Sequence, residues 1–188
     1  DDVVRLDTNA EELGYSSAWL GDHIVVPDKI ESAYPYTPDG SPSFPRRVPW
    51  PDPFVVLATV GAHTKTFQLG TSVIVVQYHN PRPVAKAVAT VDMATNGRFL
   101  FDVGVGWLAE EFEALGEQFS ERGSRTREYL QVMKAIWQDG AASFEGKYFP
   151  FPDVYAVPLP IQEPNPPITF GGESMPALKR MADLGNGW

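Results

Sequence analysis

Arg98-Phe-Leu-Phe-Asp-Val103 runs straight into Gly104-Val105-Gly106-Trp107 and then Leu108-Ala-Glu-Glu-Phe112. The apolar run predicts a strand, the glycines a turn, and the last stretch the start of a helix. Glycines at such a junction let the backbone come close to a ligand. A second junction of this kind lies near the C-terminus, where Ile168-Thr-Phe170 meets Gly171-Gly172 and Ser174 is placed to cap a helix starting around Met175-Pro176. Two such turns imply a site for a flat, phosphate-bearing cofactor, because free N–H groups at a helix start attract anions. An enzyme is therefore the leading reading, although neither turn identifies a reaction.

Working outward, helices and strands alternate. Val3, Leu6, Ala10 and Leu13 repeat at helical spacing before Gly14, predicting an amphipathic helix over 2–13. Ser17-Ala-Trp-Leu20 is a short strand ending at Gly21-Asp22-His23, and the segment 24–51 carries seven prolines and reads as a long ordered loop. Asp52-Pro53 caps a helix through about Ala62. Gln68 to Val76 is a continuous β-branched run, expected to be one central parallel strand buried on both faces. A helix over 83–95 stops at Asn96-Gly97. Beyond the opening feature, a helix from Ser124 or Arg125 carries Tyr129, Leu130, Met133, Ile136 and Trp137 as its buried stripe. An insertion over 143–167 holds a small hairpin at 144–148 and a proline-rich traverse from Pro150 to Pro167, after which come the strand at Ile168 and a last helix from Pro176 to Leu184.

The composition limits the partners. The net charge of −9 disfavours nucleic acid and anionic membranes, so a small-molecule substrate is expected. The absence of cysteine removes disulfides, a thiolate nucleophile and sulfur-based zinc sites, in keeping with a cytoplasmic protein. No apolar run approaches the ~20 residues needed to span a bilayer. A chain of 188 residues that is 43% hydrophobic can form one globular domain, here taken as 1–188.

The alternation signals parallel βα units. Gly104-Val-Gly-Trp-Leu-Ala109 partly matches the phosphate turn of a doubly wound sheet, but it comes late and no acidic strand end follows. Ligand-type residues at the ends of several strands fit a (β/α)₈ barrel better, and a barrel of about 250 residues would be incomplete here. Ala10-Glu-Glu-Leu-Gly-Tyr15, Trp19-Leu-Gly-Asp-His23, Leu69-Gly-Thr-Ser-Val-Ile74, Gly97-Arg-Phe99, Gly104 to Gly116, Glu121-Arg-Gly123 and Gly171-Gly-Glu-Ser174, in this order and spacing, resemble the luciferase-like monooxygenase superfamily, and within it the coenzyme F420-dependent oxidoreductases. The resemblance covers nearly the whole chain. It implies an α/β, TIM-barrel type fold that lacks the first strand and the C-terminal third, with coenzyme F420, or alternatively FMN, bound at the C-terminal face.

The resemblance also assigns residues. His23 resembles the histidine that deazaflavin-dependent relatives place beside the cofactor ring, and it is the catalytic candidate, with a backbone-bonded loop histidine as the alternative. Asp22 is expected to hold the His23 tautomer or to act as a cap. Ser72-Val73 matches a place where several members carry a non-proline cis peptide under the ring. Gly104, Val105 and Gly106 are expected at the cofactor edge, and Gly171, Gly172 and Ser174 at its phosphate. Trp107 stands where sugar-phosphate dehydrogenases of the superfamily use a glutamate as proton donor, which argues against glucose 6-phosphate chemistry and for a substrate wall shared with Tyr36 and Trp50. Arg46-Arg47 reads as a solvated pair or as a contact for the deazaflavin tail. Glu110 and Glu111 read as solvated helix charges, and His63 and His79 stand isolated, so no metal site is expected. Asn186 replaces the Asp usual in Gly-Asp-Gly-Trp. The expected function is hydride transfer between F420 and a small organic substrate. An FMN-dependent two-component monooxygenase and a non-catalytic flavin-binding truncated barrel are the alternatives. The open edges of a partial barrel lead us to expect a homo-oligomer, a dimer.

Overall fold

A computed structural model describes residues 2–42, 44, 45 and 47–188. Its central element is a parallel sheet of β1 (Ser17–Leu20), β2 (Gln68–Thr71), β3 (Ile74–Val75), β4 (Phe99–Gly104) and β7 (Ile168–Phe170). β1 pairs with β2, β2 and β3 pair in turn with β4, and β4 pairs with β7, all in parallel. Neighbours in space thus follow chain order, as in one arc of a barrel.

Helices α2 (Pro53–His63), α3 (Pro81–Ala94) and α5 (Arg122–Asp139) cover the outer face of this arc. Phe99, Phe101 and Val103 of β4 alternate into that layer, and Phe101 meets the Trp137 ring edge-on at 6.4 Å between centroids. Each such buried side chain contributes roughly 1.5–3 kcal/mol. The expected stripe of α5 is buried throughout, joined by Thr126 and Val132. α2 begins as its sequence signals, with Asp52 accepting from the Val55 N–H at 3.0 Å and Pro53 in the first turn.

Two expectations are corrected. The run 68–76 is two strands and the start of a 3₁₀ turn (Val76–Tyr78), with the break at Ser72-Val73, whose peptide bond is cis. The hairpin is larger than 144–148: β5 (Ala141–Phe144) pairs antiparallel with β6 (Phe151–Tyr155), so the proline-rich traverse begins with a strand. Phe144 stacks on Phe151 across it, and Glu128 accepts the N–H groups of Lys147, Tyr148 and Phe149 in the turn. The first helix, α1 (Asp2–Glu12), is amphipathic as expected: Ala10 packs against the core, whereas Leu6 and, just past the helix, Leu13 remain 69% and 78% exposed.

The traverse after β6 is fixed by a buried carboxylate. Asp92 on α3 accepts the N–H groups of Ile161 and Gln162 at 2.8 and 3.0 Å. The chain then enters β7, and α6 (Met175–Leu184) follows. Asn186 supplies an acceptor there, since its Oδ1 takes the Ile168 N–H at 2.9 Å while its own N–H donates to the Ile168 carbonyl.

Candidate active site at the strand ends

Four strand ends converge around Val73. A Cβ on Gly104, at the end of β4, would stand 2.5 Å from Val73 Cγ2, and one on Gly171, just past β7, would stand 3.0 Å from Val73 Cγ1. A Cβ on Gly21, just past β1, would lie 3.4 Å from the Ser72 carbonyl and 3.1 Å from the Trp50 ring. Close approach therefore favours glycine here, most strongly at Gly104. Ser72 is exposed beside this cluster. Gly106 has φ = 77°, but Phe112 and Val75 already fill the space beside it.

His23 follows β1. Its Nδ1 lies 2.6 Å from Glu111 Oε2, and the other carboxylate oxygen accepts the N–H groups of Ile24 and Val25 at 2.9 and 3.2 Å. The Glu111 side chain has no solvent exposure and that of His23 only 12%. Because a carboxylate oxygen accepts, His23 donates from Nδ1, and Nε2 has no hydrogen-bond partner among the described residues. Phe44 and Trp50 pack on the imidazole at 5.1 and 4.7 Å between centroids. The group holding the tautomer is thus Glu111 and not Asp22, and Glu111 is no solvated helix charge. Asp22, 7% exposed, instead accepts from Nε2 of His79 at 2.8 Å, so His79 is not isolated either.

Glu111 lies in the first turn of α4 (Ala109–Ala114), directly after the glycine turn. Its neighbour Glu110 accepts the N–H groups of Glu31 and Ser32 at 2.7 and 2.8 Å, and Ser32 in turn accepts from the Ala109 N–H. Burial pushes the Glu110 carboxyl up, but these bonds and its own N–H outweigh it and hold the group below its usual value. Adjacent carboxylates on one short helix therefore pin the 24–51 loop at two places. An acidic pair in a first helical turn was the available signal, since that is where N–H groups and the helix dipole favour negative charge.

The loop then crosses the mouth. Tyr34 meets Trp107 edge-on at 5.0 Å and Tyr36 at 5.5 Å. Burial, then Glu173 and Tyr34, then Asp102, push the Tyr36 hydroxyl up. Asp102 itself, in register with Thr169 on β7, is raised by burial, with Thr169 and the Val103 N–H offsetting part of that. Asp102 Oδ1 and Thr169 Oγ1 are both buried without a partner in hydrogen-bond geometry. Arg47 is exposed, and Arg46 lies outside the described residues.

At the second glycine turn, Gly172 has φ = 99° and its carbonyl accepts from Trp188 Nε1 at 2.8 Å. Ser174 caps α6 through Ala177. Among the described residues no acceptor faces the N–H groups of Gly172, Glu173 and Ser174. Arg122 and Arg180, neither of which has a carboxylate partner among the described residues, each bury an unpaired Nε, and Arg180 is lowered by burial first and then by Arg127 and Arg122. Arg122 also donates from Nη1 to the Phe119 carbonyl at 2.9 Å, and free N–H groups with guanidinium charge suit a phosphate-bearing ligand. No group of three metal-ligating side chains occurs among the described residues.

Two of the hollows among the described residues lie beside α4 and beside His23. One of about 510 Å³ lies between α4 and the turn 116–120, lined by Glu113, Glu117 and Phe119, with no histidine in it. The smaller, about 210 Å³, is lined by Asp22, His23, Trp50, Asp52 and His79. Only the smaller one adjoins the histidines.

The model of the family described as luciferase-like monooxygenase matches residues 1–188. The chain belongs to this family. Its sequence is 31% identical over 179 residues to the uncharacterised protein Rv0953c of Mycobacterium tuberculosis, covering 95% of this chain and 64% of that protein. It is 30% identical over 175 residues to an F420-dependent glucose-6-phosphate dehydrogenase of Amycolatopsis mediterranei, covering 91% and 48%. Over 112 residues it is 38% identical to an FMNH(2)-dependent dimethylsulfone monooxygenase of Pseudomonas putida, covering 58% and 31%. The fold matches that of the coenzyme F420-dependent tetrahydromethanopterin reductase of Methanopyrus kandleri with a TM-score of 0.74 at 21% identity, over 99% of this chain and 50% of that one. The luciferase-like chain thus spans less than two thirds of the curated relatives it matches, and its arc is an incomplete barrel. Relatives using F420 and relatives using FMN both occur. No helix is long and apolar enough to cross a membrane among the described residues.

Proposed function

We propose that this chain forms the cofactor-facing half of an oxidoreductase that moves a hydride between coenzyme F420 and a small organic substrate. The observation that carries the reading is His23, fixed at a strand end by a fully buried carboxylate with Nε2 left free. A histidine so held suits proton exchange with a substrate hydroxyl or carbonyl, a role typically worth about 10²–10⁴ in rate. When bound, the deazaflavin supplies or accepts the hydride.

The rest is the work of the chain. Gly104, Gly171 and Val73 shape a close backbone surface suited to a flat ring. The N–H groups of Gly172 to Ser174, with Arg122 and Arg180 as further candidates, suit its phosphate. Trp107 and Tyr34 form an aromatic wall where a sugar-phosphate dehydrogenase would need a proton donor, so the reading favours an apolar or aromatic substrate over a sugar phosphate. Phe44 and Trp50 of the loop cover the His23 ring on one side and leave it facing the hollow that it lines with Asp22 and His79.

A second reading, an FMN-dependent monooxygenase fed by a partner reductase, is favoured by the 38% identity to the dimethylsulfone enzyme. Comparing the bound spectra after reconstitution with F420 and with FMN separates the two. The exposed Val3 and Leu6 of α1, with Leu13 just after it, support a further proposal, that a second copy completes the assembly. Light scattering showing a monomer would contradict it.

A further inference from the structure

His23 and His79 come from different strand ends, yet both line the 210 Å³ hollow, each held by its own buried carboxylate. Glu111 occupies Nδ1 of His23 and Asp22 occupies Nε2 of His79, so the free nitrogens are Nε2 and Nδ1 respectively. The His79 side chain is 20% exposed, more than the 12% of His23. A water takes about 30 Å³ of liquid volume, so the hollow has room for a short file of them, with polar side chains to bond them. Asp52, the cap of α2, supplies a further carboxylate at the same hollow.

The groups packed behind the two pairs do not compete for the proton. Tyr78 is pushed far up by burial, then by Glu111 and Asp22, and Tyr129 likewise by burial and then Asp22. Both stay protonated behind the carboxylates.

We propose that His79, positioned by Asp22, is the proton-exchange partner of His23, passing protons between it and solvent through water in this hollow. The inference rests on reading His23 as the proton-handling residue. A bound deazaflavin would take the hydride, with its electron pair, from the carbon of an oxidised substrate hydroxyl, and His23 Nε2 would take the proton from its oxygen. That proton then crosses the hollow to His79 and leaves to bulk water, and reduction runs the same path in reverse. His79 is thus a positioning and relay residue that touches neither substrate nor cofactor.

The test uses the cofactor-free chain, labelled with ¹⁵N, and reads the exchange of His23 ring protons with water by NMR. His79→Gln should slow that exchange by about tenfold or more while leaving the backbone spectrum intact, and added imidazole should restore it. Asp22→Asn, which keeps the shape but loses the charge, should give a smaller slowing and serves if the first variant does not fold. Wild-type exchange in both variants would overturn the relay. A parallel fluorescence titration with F420 keeps the two ideas apart: a wild type that exchanges through His79 yet fails to bind F420 sinks the functional reading alone, and one that binds F420 while exchanging independently of His79 sinks the relay alone.

Discussion

Glu111 reaches back across 88 positions of sequence to hold Nδ1 of His23 at 2.6 Å, and the same carboxylate closes the first turn of the long loop by accepting from Ile24 and Val25. One buried group thus fixes both the tautomer of the histidine and the entry of the loop that covers it. Removing it leaves a buried imidazole and two N–H groups without acceptors. Glu111→Ala should cost about 2–4 kcal/mol in urea unfolding. Glu111→Gln, which can still accept, should fold better yet lose about 10²-fold in turnover, because its amide no longer dictates which nitrogen carries the proton. Equal loss in both variants would mean that the carboxylate serves only the fold.

The glycines around Val73 give a steric prediction. A methyl at position 104 would stand 2.5 Å from Val73 Cγ2, and Gly104→Ala should destabilise by about 1–3 kcal/mol and weaken cofactor binding. Trimming the obstacle should help, so Val73→Ala in the same chain should recover part of the loss in a double-mutant cycle. Gly171→Ala, at 3.0 Å from Cγ1, should cost less. Additive effects of Gly104→Ala and Val73→Ala would show that the contact does not matter.

Acid stability should depend on Glu11. This exposed carboxylate of α1 accepts the N–H groups of Lys65, Thr66 and Phe67, and its pKa falls from 4.5 to about 2, chiefly through the Thr66 N–H. A carboxylate with a depressed folded pKa stabilises above its unfolded value and loses that contribution as the pH falls through the folded one. The wild type should therefore lose stability between pH 4.5 and about 2, and Glu11→Gln should flatten that part of the profile. An unchanged acid limb in thermal melts would contradict this.

The loop pinning can be read by proteolysis. Glu110→Gln weakens the acceptor for Glu31 and Ser32, and Trp107→Ala removes the ring that Tyr34 meets. Either change should speed limited cleavage within 24–51 by several-fold, because cleavage follows the population of the locally open form. Cleavage at the wild-type rate would place the loop's stability elsewhere.

The fold was legible where local pattern and tertiary context agree. The apolar run before Gly104 and the stripe from Tyr129 to Trp137 each point one way, and both occur as expected. The run 68–76 misled because β-branched residues favour strand on either side of Ser72-Val73, and hydrophobicity carries no mark of a cis peptide. β6 was hidden by its short length and by Pro152 inside it.

The site was half legible. His23, Ser72-Val73 and the glycines stand at strand ends, where the sequence order alone placed them. Glu110 and Glu111 looked like solvent charge, yet each collects N–H groups from the 24–51 loop, as Asp92, Glu128 and Glu11 do from other connecting segments. Such pairings join residues far apart in the chain, and periodicity reads only neighbours. The Asp22–His79 pair was invisible for the same reason, being made across 57 positions.

The central claim is that His23, held by Glu111, serves a deazaflavin bound over Ser72-Val73. Its most direct measurement is an equilibrium titration of the chain with F420 and, separately, with FMN, followed by cofactor fluorescence and repeated with Val73→Trp to fill the place of the ring. The account predicts saturable binding of F420 that is tighter than that of FMN and is lost in Val73→Trp while the variant remains folded. Tighter binding of FMN, or binding of F420 that Val73→Trp leaves unchanged, would contradict it.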